Sequence, residues 1–389
     1  MIYLDHHATT PVDARVLEAM LPFFSEKFGN AASRQHQFGW DAADAVERAR
    51  KQIATLIGAG SKDIIFTSGA TEANNLAIKG AAKARRSERD HLVRDHLVTI
   101  VTEHKSVLDP MASLEKQGWR VTVLPVNADG LIDVSELERA ITDRTSLVSV
   151  MTANNEIGVL QPVKEAAAAA HAKGAWFHTD AVQAVGKVPF DVDALDVDFA
   201  SITAHKLYGP KGVGALYVRR KGRDVKIAAE INGGGHERGT RSGTLNVPGI
   251  VGFDRAAEIA RAEMPSESTR VARLRDRLLD GLRSKTEGMT VNGALLDRAA
   301  RLPGNLNVSF AGVDGEALLV SLDDIAVSSG AACTQAEPSH VLMALGLSKD
   351  RALASLRFGI GRSTTAADVD YAAEKVSYVV ARLRQMSPV

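Results

Sequence analysis

Five short apolar runs between residues 63 and 202 are each followed by residues able to do chemistry. "DIIFT" (63–67) leads into Ser68-Gly69-Ala70-Thr71, "LVTIV" (97–101) into Thr102, Glu103 and His104, and "LVSVM" (147–151) into Asn154, Asn155 and Glu156. "AWFH" (175–178) leads to Asp180 and Gln183, and "VDFASI" (197–202) to Thr203, His205 and Lys206. Taken singly, each is most simply a turn former or a helix cap. Taken together they put a small-residue turn whose N–H groups suit a phosphate, a carboxylate, an imidazole and a lysine at one rim of one sheet. A pyridoxal phosphate site needs that set: a lysine for the Schiff base, an acid for the pyridine nitrogen and donors for the phosphate.

The chain has one cysteine, Cys333, within "SSGAACTQAEP" (328–338). Small and polar neighbours predict an exposed loop there, so the reactivity of the thiol accounts for it better than packing does. The glycine-rich "INGGGHERGTRSGT" (231–244) reads either as a flexible connector or as an anion-contacting loop using His236, Arg238, Arg241, Ser242 and Thr244. No nucleotide P-loop, strand-anchored G-x-G-x-x-G, H-E-x-x-H or C-x-x-C is present, so no metal site is predicted.

The elements that must position these groups follow from the pattern. Runs at 63–67, 97–101, 121–124, 147–151, 175–178, 197–202 and 214–218 alternate with helical stretches such as 72–86 and 163–174, which predicts α/β architecture with a mainly parallel sheet. After about residue 258 charged helical patterns dominate (270–285, 366–386), which predicts a smaller α+β domain. The expected division is 14–257 for a large cofactor-binding domain, with 1–13 and 258–389 forming the small domain that carries Cys333. Lys plus Arg and Asp plus Glu both number 47, so no overall field attracts nucleic acid or an anionic membrane, and a small-molecule substrate is expected. No apolar run approaches bilayer-spanning length. One thiol forms no internal disulfide and the N-terminus lacks a signal-peptide pattern, so a cytoplasmic protein is expected.

With these residues assembled, the chain resembles the cysteine desulfurases of the NifS/IscS type, in the class V aminotransferase group of fold-type I enzymes. The resemblance runs through "YLDHHATTPVD" (3–13), "FTSGATEANNLAIKG" (66–80), "TEHKSVLDP" (102–110), "NNEIGVLQP" (154–162), "HTDAVQAVGK" (178–187), "HKLYGPKGVGALYVR" (205–219), "GGGHERGTRSGTLN" (233–246) and "SSGAACT" (328–334). It implies pyridoxal 5'-phosphate held by Lys206, with Asp180 on the pyridine nitrogen, Gln183 on the ring hydroxyl and His104, also a catalytic residue, stacked on the ring. It further implies a phosphate cradle of Ala70, Thr71, Thr203 and His205, joined by Thr244 from the other subunit of a homodimer. Asn155 and Arg357 would bind L-cysteine, Arg357 by a bidentate grip on its carboxylate.

The implied reaction yields L-alanine and leaves sulfur on Cys333 as a persulfide, for delivery to an acceptor or iron–sulfur scaffold protein. Thr203 stands where many members have serine, which keeps the hydroxyl. The segment after Cys333 is about two residues shorter than in typical members, which implies a shorter reach. The rival readings are a selenocysteine lyase or an aminotransferase on the same scaffold, transamination having no use for Cys333, and an idle sulfur-relay subunit, against which the whole cofactor set argues.

Overall fold

A computed structural model describes residues 1–86, 93–294, 300–329 and 337–386 of the chain. Its strands are β1 (Ile2–Tyr3), β2 (Ile64–Thr67), β3 (His96–Ile100), β4 (Arg120–Leu124), β5 (Thr145–Ser149), β6 (Trp176–Asp180), β7 (Phe199–Thr203), β8 (Gly214–Val218), β9 (Met289–Val291), β10 (Asn305–Phe310), β11 (Ile325–Ala326) and β12 (Ser355–Gly359). Strands β2 to β8 form one sheet in the order β2-β8-β7-β6-β5-β3-β4. The pairs among β3 to β7 are parallel, and β8 runs antiparallel to both β7 and β2. The predicted α/β class with a mainly parallel sheet is the observed one.

Every residue of β3, β5, β6, β7 and β8 is buried, because helices cover both faces of the sheet. One face packs on helices Ala70–Arg86 and Lys105–Glu115 through Ile65, Leu97, Leu147 and Phe199. The other packs on Gln37–Leu56, Val163–Ala172 and the front of Val247–Lys285 through Phe66, Val98, Val148 and Phe177. All the parallel strands therefore point their carboxyl ends at one rim, where the polar residues after them gather.

The change of pattern near residue 258 falls inside a continuous helix. Val247–Lys285 has 39 residues; Asn246 caps it by accepting from Gly249 N–H. Its front half contributes Ile250, Phe253 and Ala257 to the core under the large sheet. Its back half contributes Val271, Leu278 and Leu282 to a second core, built on the antiparallel sheet β12-β10-β9 and helix Ala366–Met386. What changes near 258 is the core that the helix faces. Leu4 belongs to that second core, and β1 pairs with β11. A Cβ on Gly359 would lie 2.7 Å from His6 N and 2.8 Å from His7 N, so only glycine lets the N-terminal segment lie directly on β12.

The edge strand β2 is closed by a buried ion pair. Arg50 donates to both oxygens of Glu237 at 2.7 and 2.8 Å and to Ile64 O at 2.8 Å, while Glu237 also accepts from Phe66 N–H at 2.8 Å. The side chains are 4% and 2% exposed, so the pair satisfies the free edge of the sheet away from water. Removing one partner strands the other charge. Glu237→Ala is expected to cost roughly 3–5 kcal/mol, read as a lower urea midpoint at unchanged slope; a loss below about 1 kcal/mol would mean that water reaches the Arg50 guanidinium.

Candidate active site

A cavity of about 420 Å³ opens at the carboxyl ends of the parallel strands, and Ala70, Thr71, His104, Asn155, Asp180, Gln183, His205, Lys206 and Arg357 line it. These residues come from both sides of the sequence, and Arg357 arrives from β12 of the second core. Thr203 is the buried last residue of β7; its hydroxyl donates to Val213 O at 3.3 Å and it is not among the lining residues. Thr244 is exposed and also outside that lining. Cys333 and the segment shortened after it lie outside the described residues. Among those residues, no group of three or more His, Cys, Asp or Glu could hold a metal ion, and no helix is long and apolar enough to cross a membrane.

The phosphate cradle predicted at Ser68–Thr71 is the N-terminus of helix Ala70–Arg86. Gly69 adopts φ 151°, a backbone state that side chains other than glycine rarely take. A Cβ on Gly214 would lie 2.8 Å from Gly69 Cα, so two glycines let β8 pass against the turn. Glu72 holds the turn by accepting from Ser68 N–H at 2.9 Å and from Arg241 Nε at 2.7 Å. Arg241 thus ties the glycine-rich 231–244 segment to the cradle within the same chain. The first N–H groups of a helix have no partner within it, and at Ala70 and Thr71 they border the cavity.

Lys206 follows β7 in a short turn, Ala204–Lys206. Its Nζ donates to His7 O and to Ala8 O. Burial, then the nearby Arg357 charge, pushes its pKa down to about 8. Lys187, four residues past Gln183, donates to Gln183 Oε1 at 2.8 Å. Burial and the charge of Lys206 push Lys187 down to about 7. Gln183 Nε2 donates to His7 O at 3.0 Å, so Lys187, Gln183 and the His7 backbone form one chain of hydrogen bonds ending beside Lys206.

Asp180 ends β6. Its carboxylate accepts from Val182 N–H at 3.0 Å and from Asn74 Nδ2 at 2.8 Å. His104 caps helix Lys105–Glu115, and its Nδ1 accepts from Ser106 N–H at 3.0 Å. Desolvation in the cavity lowers the His104 pKa. His205 is likewise pushed down, to about 4, chiefly by burial. Arg357 donates to Asp5 Oδ1 at 2.8 Å and to Asn155 O at 3.2 Å, while its buried Nε has no hydrogen-bond partner. A substrate carboxylate would satisfy that donor.

Several contributors were not singled out from the sequence. Asp5, His7 and Ala8 line the cavity but come from the N-terminal segment, which follows no strand of the large sheet. Asn74, Ser106 and Lys187 sit on helices or turns behind the rim, where spacing carries no signal of function. The "DHH" at 5–7 and the "GK" at 186–187 were visible within the resemblance motifs but carried no distinguishing chemistry.

A lysine amine, an aspartate and an imidazole beside a helix N-terminus, at the carboxyl rim of a mainly parallel sheet, define the class of site used by fold-type I pyridoxal phosphate enzymes. The aminotransferase class-V family model matches residues 2–372, and the chain belongs to that family. It is 58% identical over 389 residues to a cysteine desulfurase IscS of Anaeromyxobacter sp. (strain Fw109-5), covering all of this chain and 94% of the relative. Among solved structures, a NifS-like protein superposes with a TM-score of 0.89 at 39% identity, covering 98% of this chain and all of that one. SspA in complex with cysteine superposes with a TM-score of 0.82 at 37% identity, over 94% of this chain and all of that one.

Glu156, in the "NNEIGV" loop, is buried and accepts from the Ser339 hydroxyl. Burial pushes its pKa up to about 7. A carboxyl whose folded pKa is raised stabilises fully below its unfolded value, near 4.5, and loses that contribution as pH rises through about 7. Glu156→Gln, which keeps the neutral shape, is expected to match wild type near pH 5 and to exceed it by about 1–3 kcal/mol at pH 8. Urea unfolding at the two pH values checks this, and a variant equally destabilised at both would show that an ionised Glu156 is held in the fold.

Proposed function

We propose that the protein is a pyridoxal phosphate-dependent cysteine desulfurase that converts L-cysteine to L-alanine and takes up the sulfur on Cys333. The observation that carries this reading is the convergence of Lys206, Asp180, His104, Gln183 and Arg357 on one cavity. The cysteine desulfurase named at 58% identity supports the choice of substrate. The donor set fits the cofactor: a low-pKa amine, a carboxylate fixed by two donors and a helix N-terminus all border the cavity. Lys206 would hold it covalently, with Asp180 at the ring nitrogen, Gln183 at the ring hydroxyl and His104 against the ring. Ala70, Thr71 and His205 would hold the phosphate, with Thr244 of a second copy; Thr203 would join them only by releasing its hydrogen bond to Val213 O.

When bound, the cofactor supplies an electron sink for the charge left at the substrate Cα. The protein supplies the rest. Arg357 and Asn155 orient the amino acid by its carboxylate, and Asp5 on the Arg357 guanidinium holds that grip in place. Lys206, whose amine loses its proton near pH 8, removes the Cα proton. Cys333, as thiolate, forms the new S–S bond while the C–S bond of the substrate breaks. An acceptor protein, such as an iron–sulfur scaffold, then takes the sulfur by thiol exchange.

The reading includes a homodimer and a cytoplasmic setting. Leu21, Phe24, Phe28, Phe38 and Trp40 are exposed near the N-terminus, with Phe28 and Phe38 rings 5.2 Å apart, and they support a face for the second copy. Only one thiol in 389 residues supports a reducing compartment. The two cores, one under the large sheet and one holding Leu4 with the C-terminal elements, support a division into two domains.

Incubation with L-cysteine, measuring alanine and enzyme-bound sulfane sulfur, tests the activity. Cys333→Ser is expected to bind cofactor and cysteine yet lose alanine formation by at least about 100-fold; near-normal alanine would remove Cys333 from the reaction. Lys206→Ala is expected to retain no cofactor through hydride reduction and denaturation. In the apo-protein, cofactor loading should accelerate as pH rises through about 8 and then level, because only the neutral Lys206 amine attacks an aldehyde. A rate still climbing toward the usual lysine range would mean that the amine is not desolvated.

A further inference from the structure

We propose that Asn74 and Ser106 lock His104 as its Nε2–H tautomer, so that His104 serves the cavity as a hydrogen-bond donor and not as a base. The proposal rests on the cysteine desulfurase reading only for its catalytic consequence; the tautomer follows from the protein's own hydrogen bonds.

Asn74 lies on helix Ala70–Arg86 and is fully buried. Its Nδ2 is 2.8 Å from Asp180 Oδ2 and 2.8 Å from Ser106 Oγ. A carboxylate only accepts, so the Asn74 amide must present its NH2 group to Asp180; the flipped amide would set oxygen against oxygen. The second N–H then goes to Ser106 Oγ, which accepts it and keeps its single proton for the remaining neighbour. That neighbour is His104 Nδ1, at 2.8 Å.

A second donor converges on the same nitrogen. Ser106 N–H points at His104 Nδ1 from 3.0 Å, as the helix-capping bond. With two donors aimed at it, Nδ1 carries no proton, and a neutral imidazole then carries its proton on Nε2. Protonating Nδ1 would forfeit the bond from Ser106 N–H and reverse the hydroxyl contact, leaving the Ser106 proton without its acceptor. The lowered His104 pKa agrees with this, among facing groups Asp180, Lys206, His340 and Asp109. Asn74 Oδ1 is buried with no hydrogen-bond partner, a cost that a side chain chosen for packing alone would avoid. What Asn74 contributes is its two donors.

The consequence concerns the division of labour. An Nε2–H imidazole has no lone pair to offer the cavity, so it cannot take a proton from a substrate thiol or from Cα. It can donate to a developing thiolate sulfur. Proton removal falls to Lys206, and Asn74 and Ser106 act as positioning residues through His104.

Two measurements test this. In the holoenzyme, His104→Gln replaces a ring N–H with an amide N–H of similar reach and removes all basicity. Alanine formation is expected within about tenfold of wild type for His104→Gln and at least about 100-fold down for His104→Ala; equal loss in both would make His104 a base. Separately, ¹⁵N-histidine NMR of the enzyme without cysteine, with His104 assigned by its absence in His104→Gln, is expected to show a protonated Nε2 and a hydrogen-bonded, unprotonated Nδ1. Ser106→Ala should shift Nδ1 toward a free lone pair and raise the His104 pKa, because a donor that favours the neutral ring is lost. A protonated Nδ1 in wild type, or ring shifts unaltered by Ser106→Ala, would overturn the relay. Asn74→Ala should move the same signals if it folds. Absence of alanine formation by wild type would instead sink the desulfurase reading while the NMR result stood on its own.

Discussion

An ammonium taken out of water loses hydration that two backbone carbonyls only partly replace, and this is the condition of Lys206 at the end of β7. Burial together with the Arg357 charge shifts its balance toward the neutral amine, and much of the surrounding structure serves to maintain that state. The His7 and Ala8 carbonyls that receive the amine belong to the N-terminal segment, which Gly359 allows to lie on β12. Lys187 adds a second desolvated amine behind the first, and its hydrogen bond fixes the orientation of the Gln183 amide. The desolvated state of Lys206 therefore depends on residues scattered across almost the whole sequence.

Opposite charge is placed where it orients without cancelling that effect. Asp180 is engaged by Val182 N–H and Asn74, so its carboxylate is directed by the β6 end and by the helix beside it. Asp5 pairs with Arg357, not with Lys206, and so holds the guanidinium at the cavity wall with one donor still open. Arg357 comes from the antiparallel sheet and the other groups from the parallel one. The helix Val247–Lys285 shares its apolar residues between both cores, which makes the separation of Arg357 from Lys206 a property of packing.

Sequence reasoning located the strands because a parallel sheet covered on both faces writes continuous apolar runs, and each predicted run falls on one of the strands β2 to β8. The rim residues were legible for the same reason: they follow the strands. What was not legible has a physical reason too. Asp5 and His7 reach the cavity through a pairing between β1 and β11 that joins the two ends of the chain, a contact with no local signature. Asn74 and Ser106 look like ordinary helix-surface polar residues until the fold sets the Asn74 amide between Ser106 and the Asp180 carboxylate. Charge patterning changes near 258 within one helix, which turns from the first core to the second while its residues run on from Val247 to Lys285.

The 231–244 segment, which the homodimer proposal assigns to a shared site, is ordered largely by contacts within one chain. Glu237 and Arg238 take left-handed backbone angles, φ 47° and 57°, a strain held in place by the bidentate grip of Arg50 on Glu237. Four residues past Glu237, Arg241 is fixed again by Glu72 at the cradle of its own subunit. Thr244 lies three residues further on and is exposed. A hydroxyl presented from a segment pinned at two points loses little freedom when it meets a neighbouring phosphate, so the entropic cost of completing a site across an interface is met largely within the folded chain. The buried pair that closes the edge of β2 thereby also orders the segment that the homodimer proposal requires.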